Sequence, residues 1–294
     1  MLCWMLKEDM PVTALRRLLL STVLGVSVGI PAMAQVDLPA PPASPSAGEA
    51  PVAASRVRVA GDPRVELMSL LISRTRQGKL QQDDTAIAYR ASAATAFNAH
   101  DAHAAVKLLE ELRAEGVAGS QLYLFALFLS APDMTLATPL PAEFGAHAEK
   151  LTALATAMQA YAAETRFMDF YTSQKALFSS VSQKIGSLLK VDDVAGRVEA
   201  FYGTSWDQIT VVPAPLLSRA GYGIPVTHPD GRREVVVVIG PLGATPQQEP
   251  DYAQPQRLFL AIEAAVGQAV VPELTAKFAQ DLADTEILFS PLSD

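Results

Sequence analysis

Cysteine is almost missing from this chain of 294 residues, which contains a single one at position 3. Cys3 lies in an N-terminal segment that we expect to be removed, so the remaining protein has neither a disulfide nor a reactive thiol. A fold without cross-links depends on its hydrophobic core, and half of the residues are apolar. Thiol-based catalysis and disulfide-stabilised scaffolds are therefore excluded.

Basic clusters are also missing. The chain has 23 Lys and Arg residues against 31 Asp and Glu residues, which gives a formal net charge of −8. Nucleic acids and anionic membrane surfaces attract proteins that present basic patches. We therefore expect no nucleic-acid partner and no binding to anionic lipid surfaces.

Several catalytic motifs are absent as well. The chain has neither a P-loop nor a G-x-G-x-x-G sequence, so it shows no nucleotide-binding motif. Ser205 and Ser218 have no G-x-S-x-G elbow around them and no recognisable His–Asp set. The sequence thus predicts no cofactor, and it gives little support to a serine hydrolase.

The N-terminus has the pattern of a cleaved signal peptide. A basic pair, Arg16-Arg17, precedes the apolar run Leu18–Ile30, which is too short to span a bilayer comfortably. Ala32-Met33-Ala34 then forms an A-x-A cleavage signal. We expect residues 1–34 to be removed and the protein to be periplasmic or secreted, without a membrane span. Met10 is an alternative start, and both the general and the twin-Arg export routes remain open.

The composition changes after the expected cleavage site. Residues 35–62 are rich in Pro, Ala and Ser, which cannot build a core, so we predict a disordered linker. Asp62-Pro63 is typical of a helix start. From there we expect a single domain over 63–294, with a helical part over 63–203 and a sheet and terminal helix over 204–294.

The helical part is predicted from apolar residues that recur at helical spacing. The predicted helices cover 64–76, 85–98, 102–113 and 120–129, two long segments within 142–189, and a short segment that ends at 203. Asp192 and Asp193 can cap the short helix. A break between the two long helices is expected near Glu164-Thr165.

The pattern becomes β-type after Trp206. Two runs, Gln208–Pro213 and Glu234–Ile239, are rich in β-branched residues, and His228–Gly231 between them has the chemistry of a tight turn. Glycines and a proline interrupt the stretch between Pro213 and the turn, so we predict no strand there. The expected fold class is α+β: a helix-rich N-terminal half, a small and mostly antiparallel sheet, and a terminal helix from about Gln256.

Five segments, taken together, resemble a bacterial family catalogued as domain of unknown function 4932, whose members look like zinc metallopeptidases of the gluzincin type. The segments are VELMSLLISR, HDAHAAVKLLEELRAEGV, TRFMDFYTSQKALF, VEAFYGTSWDQITVVPAPLLSRAGYG and LAIEAAVGQAVVP. Their order and spacing carry the resemblance, which covers most of Val65–Glu273. The resemblance implies a zincin-like α+β domain in which the terminal helix would hold the metal.

The terminal helix lacks the metal ligands that the resemblance implies. In an H-E-x-x-H helix two His one turn apart bind zinc, and the Glu activates the bound water. The resemblance places Ile262 and Val266 at the two His positions and keeps Glu263 as the only retained residue of the motif. Glu286 follows Val266 at a spacing seen in some gluzincins, but it has no His partners. We therefore expect no metal and no catalytic residue, with Glu263 as a solvated or hydrogen-bonded helix residue.

Other residues have a functional and a structural interpretation. His100 and His103 could share a helix face and bind a metal, but a helix start capped by Asp101 is favoured. His147 and His228 are isolated, the first on an expected helix surface and the second in the expected turn. An aromatic cluster at helical spacing is expected to be core, although it could line a groove: Phe167, Phe170, Tyr171 and Phe178.

Three functions remain from different classes. The leading hypothesis is an exported, catalytically inactive relative of a secreted metallopeptidase that binds a peptide or protein in the periplasm. The first alternative is an active hydrolase whose metal ligands come from elsewhere, such as His100, His103 and an acidic residue. The second is a structural envelope protein without a site. The environment of Glu263 discriminates between them, because a polar groove favours a binding protein and a filled apolar core favours a structural one. No pattern indicates an oligomeric state.

Overall fold

The computed structural model describes residues 56–81, 85–191, 193–218 and 221–279. The expected signal peptide, most of the expected linker, and Glu286 lie outside the described residues. Within them the predicted α+β class is confirmed, because helices dominate and the strands form small sheets.

The described residues form ten α-helices and two short 3₁₀-helices. In chain order the α-helices are α1 (Pro63–Arg74), α2 (Arg76–Gln81), α3 (Ala88–Phe97), α4 (Ala104–Ala114), α5 (Gly119–Leu127), α6 (Ala148–Glu164), α7 (Phe167–Ser173), α8 (Lys175–Val191), α9 (Val194–Tyr202) and α10 (Pro255–Lys277). The 3₁₀-helices are Asn98–His100 and Ala142–His147.

Eight strands accompany these helices in the described residues. They are β1 (Val57–Val59), β2 (Leu129–Ser130), β3 (Thr135–Leu136), β4 (Gln208–Pro213), β5 (Gly221–Thr227), β6 (Arg233–Ile239), β7 (Gly243–Ala244) and β8 (Pro250–Asp251). Strand β1 lies within the range expected to be linker, so the folded part begins before residue 63.

Local capping explains where several helices begin and end. At the start of α1, the Asp62 side chain accepts a hydrogen bond from the N–H of Arg64, and Pro63 occupies the first turn. Asp193 caps α9 in the same way, and Gly203, at φ 66°, ends that helix in the left-handed region that glycine adopts easily. Helix α4 differs from the prediction, because its cap is His103 rather than Asp101.

The main sheet has the strand order β1-β4-β6-β5. Strands β1 and β4 pair in parallel, as do β4 and β6, whereas β5 and β6 form an antiparallel hairpin. The two remaining sheets, β2–β3 and β7–β8, are antiparallel pairs. The expectation of mostly antiparallel strands therefore holds for the hairpin and the small sheets, whereas the main sheet is mixed.

Strand β5 occupies the stretch in which no strand was predicted, and that prediction was wrong. Pro225 is tolerated because β5 is an edge strand and needs backbone donors on one side only. Gly223 is required by packing, since a Cβ at this position would lie 1.7 Å from the carbonyl oxygen of Ala265 in α10. Gly223 and Pro225, which suggest a loop in the sequence, are thus compatible with an edge strand that α10 approaches closely.

Side-chain alternation along the strands gives the main sheet two faces. On the first face, Val211, Val235 and Val237 are fully buried in a hydrophobic cluster with residues of α8, α9 and α10. On the second face, α5 packs on β5, where the rings of Tyr123 and Tyr222 lie 5.1 Å apart. The candidate sites described next lie on opposite sides of this sheet.

Candidate functional site

Helix α10 places Ile262 and Val266, the two positions at which the resemblance implies zinc ligands, against the first face of the sheet. The side chains of Ile262 and Val266 are 1% and 0% exposed, and both belong to the hydrophobic cluster. Glu263 points away from that cluster, and its Oε1 lies 2.8 Å from Nη2 of Arg197 in α9. The environment of the motif is thus a filled apolar core on one side and a surface ion pair on the other.

The two histidines near α4 are used in local structure. His103 caps α4 by accepting a hydrogen bond on Nδ1 from the N–H of Ala105, and its Nε2 lies 3.5 Å from Oε2 of Glu164. Both His100 and His103 pack edge-on against the ring of Tyr161. The described residues contain no group of three or more His, Cys, Asp or Glu side chains placed to hold a metal ion.

The aromatic cluster of α7 and α8 packs into the helical core. Phe167 and Phe178 are buried, and the ring of Phe170 contacts the rings of Tyr89 and Phe97 from α3. These contacts match the structural interpretation of the helical spacing. His147 makes a surface contact, with Nδ1 3.5 Å from a carboxylate oxygen of Glu115.

Polar side chains converge on the second face of the main sheet, at a cleft with a volume of about 160 Å³. We name this the sheet-end cleft. Its polar lining residues are Arg58, Asp62, Arg64, Thr210, His228 and Glu234. Its apolar wall is formed by valines of the same strands.

Strand register explains why these residues meet. Arg58 of β1 is the Cα partner of Thr210 in β4, and Gln208, two residues before Thr210, is the partner of Glu234 in β6. His228 directly follows β5 at the same end of the sheet. Because side chains at i and i+2 share a face, β1, β4, β6 and the turn after β5 present one polar row. This row lies at the opposite side of the sheet from α10.

A buried hydrogen-bonded pair, His228 and Glu234, forms one side of the cleft. Nε2 of His228 lies 2.6 Å from Oε2 of Glu234, and their side chains are 7% and 13% exposed. Nδ1 of His228 is buried and has no hydrogen-bond partner. Neither ring nitrogen is therefore open to a ligand, so His228 is not placed to exchange a proton with one. The sequence placed His228 in a turn, as observed, but did not predict its partner.

A second pair lies at the N-terminus of α1. Arg64 donates through Nη1 to the carbonyl oxygens of Leu127 and Leu129, and through Nε and Nη2 to the Asp62 carboxylate. Burial by itself would lower the pKa of Arg64, but hydrogen bonding to Asp62 and the charges of Asp62 and Glu234 raise it. Arg64 thus stays charged and ties α1 to the end of α5.

Glu66, on α1, is a buried carboxyl group that the sequence analysis did not single out. Its side chain is 1% exposed, the Tyr89 hydroxyl donates to Oε1 over 2.8 Å, and Oε2 has no partner. Burial raises the pKa of Glu66 to about 8, although the Tyr89 hydrogen bond lowers it. Such a shift often marks a functional site, but this carboxyl has no contact with solvent or cleft. A signal was present, since Glu66 is the only charged residue in the apolar run 65–72.

The comparison with protein families agrees with the resemblance at the level of the family. The family model described as Domain of unknown function (DUF4932) matches residues 58–245. The chain belongs to this family. The matched region contains every polar residue of the sheet-end cleft and ends before α10, so membership depends on the part of the chain that forms the cleft. Comparisons with curated proteins and with solved structures find no match.

Proposed function

We propose that this DUF4932 protein is an exported, non-catalytic ligand-binding protein whose ligand occupies the sheet-end cleft. The observation that carries the proposal is the convergence of polar side chains from three strands, the β5–β6 turn and the N-terminus of α1 on one concave surface. A few convergent polar groups in a cleft with apolar walls are typical of sites for small ligands.

The resemblance to gluzincin peptidases supports an inactive relative and not an enzyme. The positions that would hold zinc are Ile262 and Val266, which have no lone pairs and are packed in the core. Without a bound metal, Glu263 has no acidified water to activate. The leading hypothesis therefore keeps its binding role but moves the site from α10 to the other face of the sheet.

Export is proposed from the N-terminal sequence pattern. Helix α10 is, by length and composition, the one helix among the described residues that could cross a membrane. We interpret it as a core helix of the sheet, because Ile262, Val266 and Val270 are buried against the strands.

The test is a ligand screen on the protein that lacks residues 1–34. We expect a polar small molecule to raise the melting temperature by about 5–10 °C at roughly one hundred times its Kd. Elemental analysis and a general peptidase assay on the same sample should give no stoichiometric zinc and no cleavage. Chelator-sensitive peptidase activity would overturn the proposal.

A structural envelope protein without a site is the second candidate, favoured by the filled core around Ile262 and Val266. The two candidate functions differ in whether the sheet-end cleft binds a ligand. A screen in which no compound stabilises the protein, although the protein is folded, would favour the structural function.

A further inference from the structure

The sheet-end cleft offers two charged groups to a ligand, on separate strands. The guanidinium of Arg58 on β1 is exposed, and no described residue forms a hydrogen bond or ion pair with it. Glu234 on β6 uses Oε2 for His228, while Oε1 has no hydrogen-bond partner and is not a buried atom. Strand β4 lies between these two strands, so their backbones are separated by two strand spacings, about 10 Å.

The remaining charges of the cleft compensate each other. Asp62 is engaged by Arg64 through two side-chain nitrogens, and those hydrogen bonds are partly buried. A ligand therefore meets a cation on one side and a carboxylate oxygen on the other. A purely anionic ligand would pair with Arg58 but lie against Glu234, and a purely cationic ligand would do the reverse, so each would meet one group of like charge.

Thr210 lies between the two charged groups. Its hydroxyl oxygen accepts a hydrogen bond from Nε2 of Gln208 over 2.9 Å, which leaves the hydroxyl proton free to be donated into the cleft. The hydroxyl of Thr210 and the guanidinium of Arg58 are on paired residues of neighbouring strands. Both are donors, so together they suit a carboxylate group.

We propose that the sheet-end cleft binds a small zwitterion, such as an α-amino acid or a short peptide with free termini. The ligand carboxylate binds Arg58 and Thr210, and the ligand ammonium group binds Oε1 of Glu234. The valine side chains of the cleft wall contact the apolar part of the ligand. This inference depends on the proposed function, since it names the ligand class of the same site.

The experiment is calorimetric titration of the protein without residues 1–34. The probes are free amino acids and dipeptides, their N-acetyl derivatives, which lack the ammonium group, and their amides, which lack the carboxylate. We expect at least one zwitterion to bind, and each of its two derivatives to bind about tenfold more weakly or worse, because a charge-assisted hydrogen bond is lost.

Matched variants assign each end of the ligand. Arg58→Ala should remove the preference for the free carboxylate over the amide, and Glu234→Gln should remove the preference for the free amine over the acetylated form. Glu234→Gln keeps an acceptor for His228, so the turn should remain folded. The controls are Arg56→Ala, whose guanidinium pairs with Glu199 instead, and Glu263→Gln, and both should bind like wild type.

The possible results distinguish the chemical class of the ligand from the location of its binding site. If N-acetyl derivatives bind tightly and their binding still requires Arg58, the proposal of a zwitterionic ligand is wrong. The cleft would remain the binding site in that case. Zwitterion binding that neither Arg58→Ala nor Glu234→Gln changes would place the ligand elsewhere and overturn the inference. If no probe of any of the three charge types binds the folded protein, both the inference and the proposed function fail.

Discussion

The two faces of the main sheet are made by the same strands, yet one face is closed and the other carries a cleft. On the first face, Val211 and Val235 pack under α10 with no exposure. On the second, the residues next to them in sequence, Thr210 and Glu234, line the sheet-end cleft. Helix α10, which carries Glu263, thus lies on the face that has no room for a ligand.

Two glutamates, Glu263 and Glu66, differ in their surroundings in the same way as the two faces of the sheet. Glu263, on α10, is the residue that the motif singles out, and it forms a surface ion pair with Arg197. Glu66, on α1, belongs to no motif, and it is buried against Tyr89. A position in a sequence pattern therefore does not reveal the environment of a side chain, which depends on what packs around it.

The largest expected effect comes from placing histidines at positions 262 and 266 of α10. Ile262→His with Val266→His removes two buried aliphatic side chains and buries two imidazoles, which should lower the free energy of unfolding by about 6 kcal/mol. Urea denaturation measures the loss, and zinc should not reverse it. The control is Ala264→His on the exposed face of α10. Zinc-dependent recovery of stability would contradict the packing described for this face.

The next effect is the pH dependence that Glu66 introduces. Its pKa is about 8 in the folded protein against 4.5 for an ordinary Glu, so the folded state binds the proton more tightly. The stabilising contribution is full below about pH 4.5 and is lost as the pH rises through 8, in total about 5 kcal/mol. Glu66→Gln removes this titration.

Unfolding free energies measured from pH 5 to 9 test the role of Glu66. The difference between wild type and Glu66→Gln should change steadily in favour of the variant as the pH rises. A constant difference over that interval would show that Glu66 does not titrate there. Glu263→Gln is the matched control, because this carboxylate is partly solvated.

A smaller effect tests how closely α10 approaches β5. A Cβ at Gly223 would collide with the Ala265 carbonyl, whereas a Cβ at Gly221, on the same face of the same strand, would have its nearest neighbour at 3.6 Å. We expect Gly223→Ala to cost about 3 kcal/mol and Gly221→Ala less than about 0.5 kcal/mol. Equal melting temperatures for the two variants would mean that α10 is free to move away from the sheet.

The smallest effect is expected for the retained motif residue. Glu263→Gln breaks one partly exposed ion pair with Arg197, which contributes about 0.5 kcal/mol at most. Chemical denaturation should therefore barely distinguish this variant from wild type. A loss of several kcal/mol, or a loss of ligand binding, would give Glu263 a role that its surface position does not explain.

Local features were predictable to within a few residues. The caps Asp62 and Asp193, the β4 run and the turn at 228–231 all appear where the sequence places them. Each of these depends on neighbours within about four positions. Strand β5 was missed because Gly223 reads as a breaker until α10, far along the chain, is known to lie against it.

The candidate site was not predictable in the same way. His228 and Glu234 are close in sequence, but their pairing needs the β5–β6 hairpin, whose first strand was not predicted. Arg58 reaches the cleft only because β1 pairs with β4 across about 150 positions. No local pattern indicates that pairing.

By itself, the sequence determined the class of the fold and the aliphatic character of positions 262 and 266, because these depend on residue type and short-range spacing. The tertiary structure decided that Ile262 and Val266 are core, that Glu66 is buried and that three strands and the β5–β6 turn present one polar row. Those properties depend on which distant segments pack together. The physical reason is that burial and register arise from long-range contacts, which residue spacing along one segment does not encode.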